Sequence, residues 1–293
     1  MTRSGFVAIA GRPNVGKSTL VNRIVGGKVA IVSDKPQTTR REIRGVASGE
    51  DWQLVLVDLP GVQRPRDVLT ERMQQQVERA LGDADAALFL VNGEQQVGAG
   101  DRFIARALRN VGLPAVTAVN KVDRLDRPRT ALALEAAAEL GVEGDVFPVS
   151  ARSGAGVAEL VQHLVELLPE GPFLYPSDAT SDLPEAVRLA ELIREQVLLR
   201  TREELPHAVE VEIEELERRD DGLLVVRARV WAETESQKGI LVGRGGRMVK
   251  AVGTSARREI ERETGGRVHL DLRVRVRRGW RRDEGLLDRL GIE

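Results

Sequence analysis

The stretch FVAIAGRPNVGKSTL, Phe6 to Leu20, constrains this chain more than any other. Its pattern G-x-x-x-x-G-K-[ST] falls on Gly11, Gly16, Lys17 and Ser18, after an apolar run and before a helical one. In that context the glycines let backbone N–H groups close around a polyphosphate. Lys17 can reach the terminal phosphates, and Ser18 can offer its hydroxyl to Mg²⁺. The surrounding sequence agrees. Short β-branched runs, FVAIA, EIRGVAS, WQLVLVD, AALFLV, PAVTAVN and DVFPVS, alternate with amphipathic segments between residues 5 and 168. This alternation predicts an α/β domain with a mostly parallel, buried sheet flanked by helices.

A chain of 293 residues is long enough for two domains, each with its own core. Pro169 to Asp182, PEGPFLYPSDATSD, has three prolines and little periodicity, so a linker is expected at 169–182 between a domain at 1–168 and another at 183–293. The 42% hydrophobic content is ordinary for a globular protein, and no apolar run approaches the roughly 18 residues of a membrane span. The start passes directly from a strand into the phosphate-loop pattern, so no secretory signal is expected. The chain has no cysteine, which excludes disulfides and thiolate zinc sites, and its three histidines are scattered at His163, His207 and His269.

Three further motifs belong with the first loop. NKVD, Asn120 to Asp123, follows an apolar strand, where α/β sheets bind nucleotides. Guanine presents two adjacent donors that the Asp123 carboxylate can accept as a pair, whereas adenine would leave that charge facing an acceptor. VSA, Val149 to Ala151, is another strand end, where a backbone N–H can meet the base oxygen. DLPG, Asp58 to Gly61, ends WQLVLVD. Asp58 is expected to hold Mg²⁺ through water, and Gly61 to give its N–H to the γ-phosphate. KPQTTRRE supplies two threonines whose hydroxyl and carbonyl suit Mg²⁺ and the γ-phosphate; Thr39 is favoured over Thr38.

GRPNVGKST, QTTR, DLPG, NKVD and VSA, in that order, resemble a translation-factor-type small GTPase domain. The resemblance assigns nucleotide contacts to Gly11, Arg12, Pro13, Asn14, Val15, Gly16, Lys17, Ser18 and Thr19. It adds Asp58, Leu59, Pro60, Gly61 and Val62, with Asn120, Lys121, Val122 and Asp123, and Ser150, Ala151 and Arg152. Ser18, Thr39 and Asp58 are the expected metal set, and Lys17, Thr39, Asp58 and Gly61 the expected catalytic set. Many relatives carry a water-orienting glutamine where this chain has Val62, a hydrophobic replacement typical of the Era-like branch. Valine has no amide with which to orient water, so slow intrinsic hydrolysis of GTP to GDP is expected.

The second half reads differently. A helix is predicted over 183–202. His207 to Glu217 then alternates Val209, Val211 and Ile213 inward with Glu210, Glu212 and Glu214 outward, toward solvent. Asp220-Asp221-Gly222 turns the chain into a second strand, Leu223 to Ala232. A short helix, a glycine turn, a helix from about Arg247 to Glu263 and a strand from Arg267 to Arg277 follow. Charge is segregated: His207 to Glu235 carries nine acidic and four basic residues, and Lys238 to Arg282 fourteen basic and four acidic.

The turn is Gly243-Arg244-Gly245-Gly246, G-x-x-G with no Lys-Ser/Thr after it, hence not a second phosphate loop of the first kind. On the following helix Val249, Val252, Ala256 and Ile260 share one side, opposite or flanked by Arg247, Lys250, Arg257 and Arg258. On the last strand, Arg273, Arg275 and Arg277 alternate with apolar residues. A glycine turn beside a basic helix suits a polynucleotide backbone. The element order resembles a type II KH domain, which implies single-stranded RNA held by Gly243, Arg244, Gly245, Gly246, Arg247, Lys250, Arg257, Arg273, Arg275 and Arg277. An aromatic content of 3% fits that mode better than base stacking on exposed rings.

Together the halves resemble the Era-like GTPase family over nearly the full length, through the ending RRGWRRDEGLLDRLG. A tandem-GTPase relative is excluded, because NKVD and the first loop each occur once. The resemblance implies a monomeric, cytoplasmic factor for small ribosomal subunit assembly. It would bind GTP or GDP with Mg²⁺, the 3′ region of 16S ribosomal RNA and the 30S subunit, with peripheral contact at the cytoplasmic face of the inner membrane. On this reading the γ-phosphate and Mg²⁺ order residues around Gln37 to Arg40 and Gly61 to Arg64, changing the angle of the KH domain. Two other classes are consistent with the same motifs: a trafficking GTPase whose tail docks protein or membrane partners, and an RNA-binding module with an inactive nucleotide site.

Overall fold

The computed structural model describes residues 2–35, 37–61 and 66–292. The chain forms two compact units, the first drawn mostly from residues before Leu183 and the second mostly from Leu183 onward, each with its own sheet and core. Among the described residues no helix is long and apolar enough to cross a membrane.

The first unit runs β1 (Arg3–Ala10), α1 (Lys17–Val25), β2 (Ile43–Ser48), β3 (Trp52–Asp58), α2 (Val68–Asp83), β4 (Ala86–Asn92), α3 (Ala99–Val111), β5 (Ala115–Asn120), α4 (Arg127–Ala138), β6 (Val146–Pro148) and α5 (Val157–Glu166). Its sheet has the order β2-β3-β1-β4-β5-β6, parallel except for the antiparallel edge strand β2. The continuous apolar runs are explained by burial on both faces. Val7, Ile9, Leu54, Leu56, Leu88 and Leu90 join one core, while Ala8, Ala10, Val57, Ala87, Phe89 and Val91 join the other. Each large buried side chain contributes about 1.5–3 kcal/mol by leaving water. The chain leaves β1 toward β3 on one side and β4 on the other. The carboxyl end of β1 is therefore the switch point of the sheet, where ligands bind in such folds.

The segment 169–182, expected as a linker, is instead pinned along the first unit. Ser4 N–H donates to Pro169 O at 3.1 Å and Val46 N–H to Thr180 O at 2.9 Å. The Gln53 amide is fully buried; its oxygen takes the N–H groups of Leu174 and Tyr175 at 2.8 Å, and its nitrogen donates to Tyr175 O. Prolines suppress periodic structure here without freeing the chain, because its polar backbone pairs with strand edges.

The second unit runs α6 (Glu185–Leu198), α7 (Leu205–Ala208), β7 (Glu210–Arg218), β8 (Leu224–Ala232), α8 (Glu235–Val242), α9 (Arg247–Thr264), β9 (Val268–Val276) and α10 (Glu284–Arg289). Strand β8 is central, antiparallel to β7 and parallel to β9. One core gathers Leu189 and Ile193 of α6, Val211 of β7, Val226 and Val230 of β8, and Val252, Ala256 and Ile260 of α9. The outward placement of Glu210 needs correction: it is fully buried, 3.5 Å from the buried Arg194 Nε. A register shift between Ile213 and Glu215 interrupts the strict alternation. Glu212 and Glu214 do not simply face solvent either; they pair with the Trp231 indole N–H and with Arg229.

Candidate nucleotide site and RNA groove

Helix α1 begins at Gly16, whose φ of 104° is a left-handed conformation that glycine tolerates. No side chain caps this end, so its N–H groups face the loop interior. A Cβ on Gly16 would collide with the Asn120 amide. Asn120 in turn ties three sequence motifs together. Its amide nitrogen donates to Val15 O at 2.8 Å, and its side-chain oxygen accepts the Ala151 N–H at 2.9 Å. Asn120 is nearly fully buried, so both bonds are protected from water.

Beside it, the Ser150 hydroxyl donates to Asp123 Oδ1 at 2.7 Å, orienting a carboxylate that is itself exposed. Lys121 holds a left-handed backbone, φ 70°, which turns the chain from β5 into the short helical turn Val122–Arg124. Arg23 of α1, which carries no motif, donates through Nε to Ala151 O at 3.1 Å and also reaches Arg152 O. The base-reading loops are thus fastened to the helix that carries the phosphate loop.

At the phosphate end, Lys17 is 7% exposed and its ammonium donates to Gly11 O at 3.1 Å and Arg12 O at 3.3 Å. Burial lowers its pKa from the ordinary lysine value, while the negative charge of Asp58 opposes the shift. Ser18 Oγ donates to Asp58 Oδ2 at 2.6 Å and lies 3.1 Å from Thr39 Oγ1, which is 3.2 Å from the same carboxylate oxygen. Of the two candidate threonines, Thr39 is the one brought to Ser18 and Asp58. Two hydroxyls and a carboxylate converging at this spacing form an all-oxygen donor set that fits a small hard cation such as Mg²⁺. Leu59 and Pro60 are buried, and Gly61 lies so close to the first loop that a Cβ on it would stand 2.8 Å from Pro13 Cγ. Val62 and the rest of the expected switch segment through Arg64 lie outside the described residues.

In the second unit, α8 is capped by its own side chains: Thr234 Oγ1 accepts the Gln237 N–H, and Gln237 Oε1 accepts the Thr234 N–H, both at 3.2 Å. Helix α9 has no such cap. It starts at Gly246, φ 76°, after Gly243 and Gly245, also at positive φ. Arg247 Nε donates to Arg244 O at 3.3 Å across the turn. Arg244, Lys250 and Arg258 are exposed and form no ion pair among the described residues. Beside the turn a groove of about 270 Å³ is lined by Val249, Lys250, Gly253, Thr254, Arg257, Leu270 and Leu272. Its walls are apolar at Val249, Leu270 and Leu272, and its cations are Lys250 and Arg257. Val249, grouped above with the core side of the helix, lines this groove instead. Leu270 and Leu272 were expected only to pack, and Gly253 and Thr254 were not singled out in the sequence, although 249, 253 and 257 carry the i, i+4 spacing of one helix face.

The three arginines expected to extend the basic surface do not line the groove. Side chains alternate along β9, so Arg273 and Arg275 leave the sheet on the face opposite Leu270 and Leu272. Arg273 pairs with Asp271 at 2.8 Å; Arg277 pairs with Asp283 and stands 5.9 Å from the Trp231 ring centroid. Much of the charge on this face is balanced by β7 and by local acids.

The family described as "50S ribosome-binding GTPase" matches residues 6–121, and the KH domain family matches residues 204–281. The GTPase Era of Mycolicibacterium smegmatis is 45% identical over 296 residues, covering 99% of both chains. That of Carboxydothermus hydrogenoformans is 44% identical, covering 99% of this chain and 98% of its own. Among solved structures, an Aquifex aeolicus Era variant bound to GDP.AlF4⁻ matches with a TM-score of 0.94 at 34% identity, over 99% of each chain. An Era complex with MgGDPNP and nucleotides 1506–1542 of 16S ribosomal RNA matches with a TM-score of 0.95, also at 34% identity, over 100% of this chain and 99% of that one. Proteins of one kind thus match both units, in order and end to end, and the chain belongs to the GTPase Era family.

Proposed function

We propose that this protein binds GTP with Mg²⁺ in its first unit, hydrolyses it to GDP, and binds single-stranded 16S ribosomal RNA near its 3′ end through its KH domain in small-subunit assembly. The observation that carries the nucleotide half is the pair of buried bonds from Asn120 to Val15 and Ala151, which set base-reading and phosphate loops in one frame. Asp123 Oδ1 and Oδ2 accept the guanine donors, and the Ala151 N–H, bonded to Asn120 Oδ1 in the free protein, is shared with the base oxygen. Lys17 exchanges loop carbonyls for the β- and γ-phosphates, and the N–H groups of Asn14 to Thr19 enclose them. Ser18, Thr39 and Asp58 would hold Mg²⁺, which would neutralise charge on the β- and γ-phosphates. The Gly61 N–H contacts the γ-phosphate. Val62 contributes no amide to the attacking water, so intrinsic hydrolysis is slow until another group or partner orients it.

In the second unit the uncapped start of α9 and the groove receive the RNA: Gly243 to Gly246 along the backbone, and Arg244, Arg247, Lys250 and Arg257 at phosphates or base edges. The Era complex with nucleotides 1506–1542 of 16S ribosomal RNA supports RNA as the ligand. A cytoplasmic location with peripheral inner-membrane contact, and a monomeric state, complete the reading. Nucleotide and RNA are coupled: if GTP changes RNA affinity, RNA changes the preference for GTP over GDP by the same factor.

One experiment tests both halves. RNA from the 3′ end of 16S ribosomal RNA is titrated at fixed salt with protein holding GDP or a non-hydrolysable GTP analogue, and single-turnover hydrolysis is followed with and without that RNA. Tighter binding in the GTP-analogue state and slow hydrolysis are expected. Equal affinities in both states defeat the coupling, and absence of turnover even with added 30S subunits defeats the enzyme.

A further inference from the structure

We propose that Arg12 is a positioning residue for the nucleotide. Its side chain, locked onto the buried Asp101, fixes the outer turn of the loop that closes around the phosphates, so the Arg12–Asp101 pair sets how long guanine nucleotide is retained. The inference rests on the nucleotide site proposed above and adds a determinant, Asp101, that lies outside the motifs.

Arg12 sends its guanidinium away from Lys17 toward the β4–α3 connection. Nε donates to Asp101 Oδ1 at 2.8 Å, and Nη2 donates to Gln95 Oε1 at 3.1 Å. An ion pair at a protein surface holds little, but this one is not of that kind. The Asp101 side chain is fully buried and that of Arg12 is 26% exposed. Asp101 also accepts the Gly98 N–H at 2.8 Å through its second oxygen, so both carboxylate oxygens are committed at the start of α3. A buried carboxylate with one cationic partner resists release of that partner, because it would remain uncompensated.

The surroundings are shaped around the arginine stem. A Cβ on Gly100, in the first turn of α3, would stand 2.8 Å from Arg12 Cδ. Holding the side chain holds the peptide, and the Arg12 carbonyl is one of the two oxygens that receive the Lys17 ammonium. The same connection reaches the base side of the site: Glu94 lies 3.5 Å from Lys121 Nζ and 3.1 Å from Arg124 Nη1. Those groups are more exposed, so this second arm is the weaker one.

The test measures dissociation of a fluorescent GDP from the full-length protein, together with the melting temperature of each variant without nucleotide. Asp101→Asn keeps an oxygen for the Gly98 N–H but removes the charge facing Arg12. GDP is expected to leave about tenfold faster, the loss of a charge-assisted bond. Gly100→Ala favours helix, so α3 is not weakened, yet its methyl displaces the Arg12 stem. Here faster release with an unchanged or higher melting temperature is expected, which a purely structural role of the pair does not produce. Glu94→Gln should alter release less than about twofold. Wild-type release rates in both Asp101→Asn and Gly100→Ala overturn the proposal. So does an equal acceleration by Glu94→Gln, which would make retention a general response to disturbing the connection. A wild-type protein that fails to bind guanine nucleotide would instead defeat the underlying site.

Discussion

The two glycine turns start helices in the same way and are otherwise opposites. Gly16 before α1 and Gly246 before α9 both hold left-handed backbone and leave helix N–H groups without a side-chain cap. Around Gly16 the protein is closed: Asn120 fills the space a Cβ would take, and Lys17 is buried. Around Gly245 and Gly246 a Cβ would meet nothing within 4 Å, and the neighbouring cations are exposed. The difference teaches that a helix start specifies only an anion. Enclosure decides whether that anion is one compact polyphosphate or a chain passing through.

The sharpest way to break this comparison is to add the same methyl to both turns. Gly16→Ala is expected to lower guanine-nucleotide affinity by more than about 100-fold, since strain at positive φ adds to displacement of the Asn120 amide. Gly245→Ala, with the same strain and no clash, should cost about 1 kcal/mol of stability and change RNA affinity only a few-fold. Nucleotide titration, chemical denaturation and RNA titration read the three quantities. Comparable damage to ligand binding at both glycines would show that enclosure is not the distinguishing property.

A smaller effect separates the groove from the opposite face of its sheet. Lys250→Ala should weaken RNA binding by several-fold and reduce the slope of log affinity against log salt by about 0.7, as expected for one phosphate contact on a single strand. Arg275→Ala should leave both within about twofold and within error. If the two substitutions behave alike, the basic surface extends around the sheet as the alternating arginines first suggested.

The smallest effect concerns a proton. Lys17 has a lowered pKa in the free protein because it is buried, and phosphate oxygens beside it would raise that pKa. Nucleotide binding should therefore take up a fraction of a proton at pH values between the lowered free-state and raised bound-state values. Calorimetry in buffers of different ionisation enthalpy measures this uptake. The sign is fixed, because the bound state holds its proton to higher pH; release of protons in that window would contradict it.

Much of this organisation was legible in the sequence, and the reason is locality. Continuous apolar runs identify doubly buried strands such as β3, and alternation identifies β9, because side chains alternate about a strand wherever it lies. The side of α9 that holds Val252, Ala256 and Ile260 follows likewise from helical spacing. The glycine turns were legible because only glycine readily adopts positive φ with free space or close contacts beside it. What failed were inferences that carried a local pattern one step too far. Arg273 and Arg275 were read as a cationic strand face and grouped with the RNA-holding residues, and that same alternation carries them away from the groove to the other side of the sheet. Proline-rich 169–182 was read as a linker because it lacks periodicity, although its backbone pairs with strands more than a hundred residues away in sequence.

By itself, then, the sequence determined the two kinds of unit, the loops that approach phosphate, and guanine rather than adenine as the base that Asp123 suits. These depend on the chemistry of neighbouring residues. Tertiary structure decided which side chains complete those loops: Asn120 on Val15, Thr39 beside Asp58, Arg12 on Asp101, and Glu210 buried against Arg194. Most of these pairs join residues from separate elements, and a lone charge or amide in sequence does not reveal its partner. Only packing, by excluding water from both members, makes such a pair specific.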